Sequence, residues 1–303
     1  MSGVNRMDTR RLKRLNSTGL LFILPAVLIV VVLLIYPIIS SVYFSFTSKN
    51  LIKVNYTWVW LDNFTWVLTN PDFYHAFVNS IKWTVYSIIG QLFLGFASAL
   101  ALNKIPRFSG IYRTLLIIPW AFPAIVIAFS WKWILNDVYG FIPNLLTTMG
   151  ITENNINLFA EPDYVFAAVV CINIWFGYPL FMVNILSALK TIPSEQYEAA
   201  VMDGATAWQS FWSITVRHIR GVIGLLLVLR TIWIFNNFDL LYLMTGGGPS
   251  DITTTLPIFA YKAGWGMKQL GVASAITIIL LLFLLCVCLV YFRFLNKWEK
   301  EDR

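Results

Sequence analysis

Two sets of residues in this 303-residue chain have types and spacings suited to molecular work. The first is the run Glu198-Ala199-Ala200-Val201-Met202-Asp203-Gly204, preceded by Pro193-Ser194-Glu195. It reads as a short helix whose start Ser194 caps, with Glu195 and Glu198 in or near the first turn, where the helix dipole favours acids. Ala199 and Ala200 present almost no side chain, so another surface can approach closely, and Gly204 ends or turns the helix. The second set is polar and aromatic groups within long apolar stretches: Asn173, Trp175, Tyr178, Asn184, Arg230, Trp233, Asn236, Asn237 and Asp239. Arg230 lies about nine residues into its stretch, near mid-bilayer at ~1.5 Å per residue. A cation there is costly enough that it should face the bundle interior or water. It either bonds carbonyls at a helix bend or gates a pathway lined by Asn236, Asn237 and Asp239, although a buried arginine satisfied by packing partners is the plainer reading.

Bond-making chemistry is not indicated. The sequence holds no Walker-type lysine loop and no HExxH, GxSxG or CxxC pattern, so no catalytic residue and no cofactor are expected in this chain. The two histidines, His75 and His218, fall at opposite faces of the membrane and cannot share a metal.

The elements that must position these residues are membrane helices. Apolar residues make up 58% of the chain and charged residues 12%, with a mean hydropathy of +0.70, against roughly 25% charge in soluble domains. Six stretches are apolar enough to cross as helices: about 20–45, 75–102, 112–135, 165–189, 221–244 and 272–294. Domain boundaries follow: residues 1–19 as an N-terminal segment, 20–294 as the transmembrane domain with an inner loop at 190–220, and 295–303 as a tail. Basic residues set the orientation. Arg6, Arg10, Arg11, Lys13, Arg14, Lys104, Arg107, Arg113, Lys190, Arg217, Arg220, Arg293, Lys297, Lys300 and Arg303 fall in segments on one side. Both termini are therefore expected in the cytoplasm, and the net charge of +7 reads as a topology signal rather than a nucleic-acid footprint. Cys171, Cys286 and Cys288 lie in spans and read as buried small hydrophobes.

Glycine and proline interrupt the spans at Gly90, Gly95, Pro119, Pro123, Gly177 and Pro179. They serve either as bends of a moving pathway or as packing notches. In the loop after the first span, Trp58, Trp60 and Trp66 read as interfacial anchors, with docking of an outside partner as the alternative.

The Glu198 segment resembles the cytoplasmic coupling signature of permease subunits of bacterial ATP-driven carbohydrate importers, the maltose, multiple-sugar, lactose and glycerol-3-phosphate group. That pattern is Glu-Ala-Ala, three residues, Gly, nine residues, Ile, one residue, Leu-Pro. Glu198, Ala199, Ala200, Gly204 and Ile214 match it, with Asp203 and Ala205 in their customary places, whereas Val216 and Arg217 stand where Leu and Pro are usual. Leu24-Pro25-Ala26, Tyr36-Pro37, Trp131-Lys132-Trp133, Phe238-Asp239 and Thr245-Gly246-Gly247-Gly248-Pro249 are similar to further features of that family.

The resemblance implies an all-α, six-helix permease of the type I importer fold. It also implies a sister permease, two ATP-binding subunits that hold the ATP and Mg, and an extracytoplasmic solute-binding protein. Glu195, Glu198, Ala199, Ala200, Asp203 and Gly204 would couple to the ATPase. For a carbohydrate, Asn173, Asn184, Asn236 and Asn237 offer planar donors and acceptors, and Trp175, Tyr178 and Trp233 offer faces for sugar rings, although each alone is more often a packing residue. Rival readings are the same architecture carrying glycerol 3-phosphate or a related polar solute, and a non-transporting membrane sensor. The cations within the spans that suit a phosphate are few, chiefly Arg230 and Lys82, which tilts the reading toward a neutral sugar.

Overall fold

The computed structural model describes residues 22–105 and 109–301, with side chains described to residue 295. The N-terminal basic residues, Arg107 and the tail side chains Lys297, Lys300 and Arg303 lie outside the described residues. The described residues form helices joined by turns and loops, with one isolated antiparallel bridge, Thr47 to Trp58. Five helices are long and apolar enough to cross a membrane, or six if one bent pair is counted as a single span.

The helices are α1 (Phe22–Ser45), α2 (Asp62–Thr69), α3 (Pro71–Lys104), α4 (Ser109–Ile117), α5 (Ala124–Ile134), α6 (Phe141–Thr148), α7 (Pro162–Leu189), α8 (Ser194–Met202), α9 (Ala207–Phe235), α10 (Asp239–Thr245), α11 (Leu256–Tyr261) and α12 (Leu270–Glu301). Two of the expected spans differ from their sequence reading. The third is broken: α4 passes through a 3-10 turn, Ile118–Ala121, and meets α5 at 91°. Pro123 cannot donate a backbone hydrogen bond and forces Phe122 into an extended conformation (φ −96°, ψ 145°), which stops the helix there. The fifth begins earlier and ends earlier than 221–244. Its helix runs from Ala207 to Phe235, and residues 236–238 separate it from α10.

The chain divides into two compact units. One comprises residues up to 68 together with 263–278. Within it, α1 exposes apolar side chains around its whole circumference, as a lipid-facing helix must. The loop after α1 folds back on itself. Ser48 N donates to Thr57 O at 2.9 Å, Val59 N to Phe46 O at 2.9 Å, and the buried Asn63 amide donates to the carbonyls of Ser45 and Thr47, both at 2.9 Å. Gly271 sits against the Thr47 carbonyl, where a Cβ would collide, and its N–H donates to Lys49 O at 3.0 Å.

The second unit, residues 69–262 and 279–303, holds α3 to α11 and α12 from residue 279 onward. Asn70 caps α3 by accepting from Asp72 N at 2.8 Å, with Pro71 at the first helical position. One core cluster gathers Trp83, Ile127, Val169, Ile172, Ile234, Leu240, Leu241 and Ile258; another gathers Ala99, Tyr178, Phe181, Met182, Ile185, Ile219 and Leu226. Glycine brings α3 and α7 together. A Cβ at Gly90 would strike Ile174, and one at Gly95 would strike Phe181. These glycines are packing notches, while Pro123 marks a bend, so both uses of the interrupting residues occur in one chain. The cysteines depart from expectation: Cys171 and Cys286 are exposed and Cys288 half-buried, because span surfaces in a membrane protein meet lipid or neighbouring chains rather than water.

Candidate coupling and pathway sites

The geometry of α8 explains why its sequence is spaced as it is. Asp203 is the C-cap, Gly204 adopts φ +78°, Ala205 N donates to Ala200 O at 2.9 Å, and Gly204 N donates to Val201 O at 3.0 Å. This is a Schellman closure, in which the second alanine supplies the carbonyl captured by the residue after glycine, so the four-residue step from Ala200 to Gly204 is set by the turn. The N-terminus differs from the sequence expectation. Pro193 is the N-cap and Ser194 the first helical residue, with no side-chain cap. A capping box forms instead at Thr206: Gln209 N donates to Thr206 Oγ1 at 3.3 Å, and Thr206 N donates to Gln209 Oε1 at 2.8 Å. The Thr-x-x-Gln spacing was the available signal for it. With Arg at 217, α9 continues unbroken into the span through a π-helical stretch, Phe211–Val216. Tyr197 Oη and Thr215 Oγ1, 2.8 Å apart, tie α8 to it. Glu195, Glu198, Ala199, Asp203 and Gly204 are exposed and Ala200 is half-buried, and Met202 is 86% exposed.

Arg230 is buried and hydrogen-bonded. Its Nε and Nη2 donate to Gln91 Oε1 at 3.0 and 2.6 Å. Gln91 Nε2 donates to Asn173 O at 2.8 Å, and Asn173 Nδ2 donates to Ser87 Oγ at 2.8 Å. One network thus joins α3, α7 and α9. Gly177 leaves the space it needs, since a Cβ there would collide with both Gln91 and Arg230. Gln91 and Ser87 were missed in the sequence, where two polar residues four apart in an apolar helix were the signal. On the other side of Arg230, Trp233 is exposed, its ring 6.0 Å from the guanidinium carbon.

The remaining pathway candidates divide by environment. Tyr178 is buried and donates to Leu116 O at 3.1 Å; Trp175 packs edge-to-face on Trp131 at 5.5 Å. Asn184 and Asn236 donate back to their own helices, to Leu180 O at 2.8 Å and Ile232 O at 2.9 Å. Asp239 is exposed in the first turn of α10. Asn237 is different: its Oδ1 is buried with no hydrogen-bond partner among the described residues, and it lies in the break between α9 and α10. A buried acceptor left unpaired costs about 1–3 kcal/mol, so a water or ligand donor at this point would stabilise it.

The Gly-Gly-Gly-Pro loop that follows α10 is pinned. Gly246 and Gly247 have φ of +63° and +92°, and a Cβ at 247 would collide with Thr254. Lys262 Nζ lies 2.6 Å from Asp251 Oδ1, and Asn79 Nδ2 donates to the carbonyls of Asp251 and Thr254 at 3.3 and 3.2 Å. The hydrogen bond from Lys262 holds the Asp251 carboxyl below its ordinary 3.8, against an opposing push from partial burial.

Residues 91–300 match the family described as the binding-protein-dependent transport system inner membrane component. The chain belongs to this family. This inner-membrane component is 30% identical to the trehalose/maltose transport system permease protein MalF of Thermococcus litoralis, over 95% of this chain and 97% of that one. It is 31% identical to the diacetylchitobiose uptake system permease protein DasB of Streptomyces coelicolor, over 93% and 88%. Its fold matches a chain of the crystal structure of a bacterial ABC transporter involved in import of the acidic polysaccharide alginate, with a TM-score of 0.81 at 22% identity, covering 95% of this chain and 99% of that one. The component is therefore a multi-pass, non-enzymatic permease subunit of an ABC transporter in the cell's inner membrane.

Proposed function

We propose that this permease subunit forms, with a sister permease, the pathway of an ATP-driven importer for a mono- or oligosaccharide delivered by an extracytoplasmic binding protein. Two ATP-binding subunits would hold the ATP and Mg and engage α8. The observation that carries the reading is α8 itself. Glu195, Glu198, Ala199 and Met202 recur at helical spacing on one exposed face, and a short helix with an exposed apolar residue, closed by its own turn, is built to be gripped by a partner. The basic residues at 6–14, 104–113, 190–220 and 293–303 support an orientation with α8 and both termini on the cytoplasmic side.

Asn237, in the helix break, is the substrate contact with the strongest support, because substrate hydroxyls would satisfy its buried oxygen. Trp233 offers a ring face one turn away, with Asn236 and Asp239 at the same break, and Asn173, Trp175, Tyr178 and Asn184 complete the proposed pathway on α7. A neutral sugar is favoured over a phosphorylated solute, since the Arg230 guanidinium is already engaged by Gln91 and Lys82 is exposed. The named relatives, a trehalose/maltose permease and a diacetylchitobiose permease, agree with that class.

The test is uptake of labelled maltotriose, trehalose and diacetylchitobiose by proteoliposomes holding the whole assembly with ATP inside. Accumulation of a saccharide is expected, with Asn237→Ala lowering it about tenfold, the effect of losing one hydrogen bond of about 1.4 kcal/mol. Accumulation of a phosphate ester or amino acid with no saccharide uptake would overturn the reading.

A further inference from the structure

The first unit contains a cavity of about 540 Å³ between the loop that follows α1, the start of α2 and the start of α12. We propose that it is a saccharide-binding site distinct from the pathway residues of the spans. Its volume falls within the roughly 300–1,000 Å³ of small-ligand clefts. The frame is fixed by backbone pairing, by the Asn63 bonds to Ser45 and Thr47, and by the bond from Gly271 N to Lys49 O. The side chains left over are the informative ones. Among the described residues, those of Lys53, Asn55, Asp62 and Gln269 line the cavity with no hydrogen bond or ion pair to the protein. Tyr56 and Trp66 also line it, and the Lys49 ammonium sits 4.5 Å from the centre of the Tyr56 ring, holding that ring in place.

A sugar ring offers a C–H face to an aromatic ring and hydroxyls that both give and accept hydrogen bonds. Tyr56 and Trp66 supply rings, Asn55 and Gln269 supply amides that donate and accept, Asp62 accepts and Lys53 donates. Other ligand classes fit less well. One carboxylate beside two lysines does not cage a cation, and an apolar ligand would leave the amides unpaired. The site lies in the loop that the proposed orientation places outside the membrane, so a saccharide held there is staged before it enters the spans. The proposal rests on the saccharide-import reading for the source of its ligand, not for the cavity's chemistry.

The test uses the whole assembly in lipid nanodiscs, without binding protein, probed with maltotriose and diacetylchitobiose by saturation-transfer NMR. Binding of at least one probe is expected. Its affinity should fall about tenfold or more both in Trp66→Ala and in the double variant Asn55→Ala with Gln269→Ala, whose exposed side chains carry no structural bond, while transfer persists in Asn237→Ala, which removes only the proposed pathway contact. Absence of transfer to either probe, transfer equal in the double variant, or transfer abolished by Asn237→Ala alone would each overturn the proposal. Proteoliposome uptake keeps the two readings apart. Saccharide uptake without binding at this cavity rejects the cavity alone, whereas binding here without saccharide uptake rejects the import reading and leaves the site standing.

Discussion

Arg230 shows how an ionised side chain is kept inside a membrane protein with no countercharge bonded to it among the described residues. Both of its bonds fall on one oxygen of Gln91, which is oriented in turn by Asn173 and Ser87. Removing Gln91 strands the cation, so Gln91→Leu should cost about 3 kcal/mol or more, while the double change with Arg230→Met should recover part of the loss. Thermal denaturation in detergent measures this cycle, and equal costs for single and double changes would contradict it. Asp251 allows a pH prediction of definite sign. Its folded-state value is lowered by Lys262, so the pair's contribution is present above about 3.8 and is lost as pH falls through the lowered value. With Asp251 well exposed, the contribution is below about 1 kcal/mol after screening. The expected signature is that hydrogen-exchange protection near Thr254 falls only in strong acid, and stays flat with pH in Asp251→Asn. At this scale the sequence showed Arg230 and Asn173 as unusual but not their partner. Gln91 is one of many residues in a long span, and only folding brings a position 139 residues away against Arg230.

Among the elements, α8 is where sequence and structure agree most closely and also where they part. Gly204 was legible as a helix end because few other residues tolerate φ +78°. Gly204→Ala should cost about 1–2 kcal/mol in the turn and fray the last turn of α8. The check is ATPase activity driven by binding protein in the reconstituted assembly, expected to drop severalfold with the chain still inserted at normal levels; unchanged coupling would contradict it. The start of α8 was misread because a serine after proline fits two registers, and the structure places the cap one residue earlier, at Pro193. Apolar stretches located the spans well, since each needs about 20 apolar residues. They did not show the break at Phe122, because hydropathy averages across the Ile118–Ala121 turn, which is as apolar as the helices around it, nor the early end of α9 at Phe235, because Asn236 and Asn237 read as polar residues lining a continuous span.

Taken whole, the described spans expose apolar surface that lipid or the proposed partner chains would cover. α1 is apolar on every face, Cys171 and Cys286 sit on exposed surfaces of spans, and α8 projects an exposed face between two spans. The cavity of the first unit was not legible in advance. Its lining comes from two segments about 200 residues apart, and each alone reads as a polar loop with interfacial aromatics. Family membership follows from residues 91–300, and the account's central claim is that α8 couples this permease to an ATPase. The most direct measurement is mild-detergent affinity purification of the chain from its native membrane, with mass spectrometry of what accompanies it. The account predicts a second permease and an ATP-binding subunit, with the ATP-binding subunit lost when Glu198 and Gly204 are changed. Recovery of the intact chain alone, under conditions that preserve a known importer complex, would contradict it.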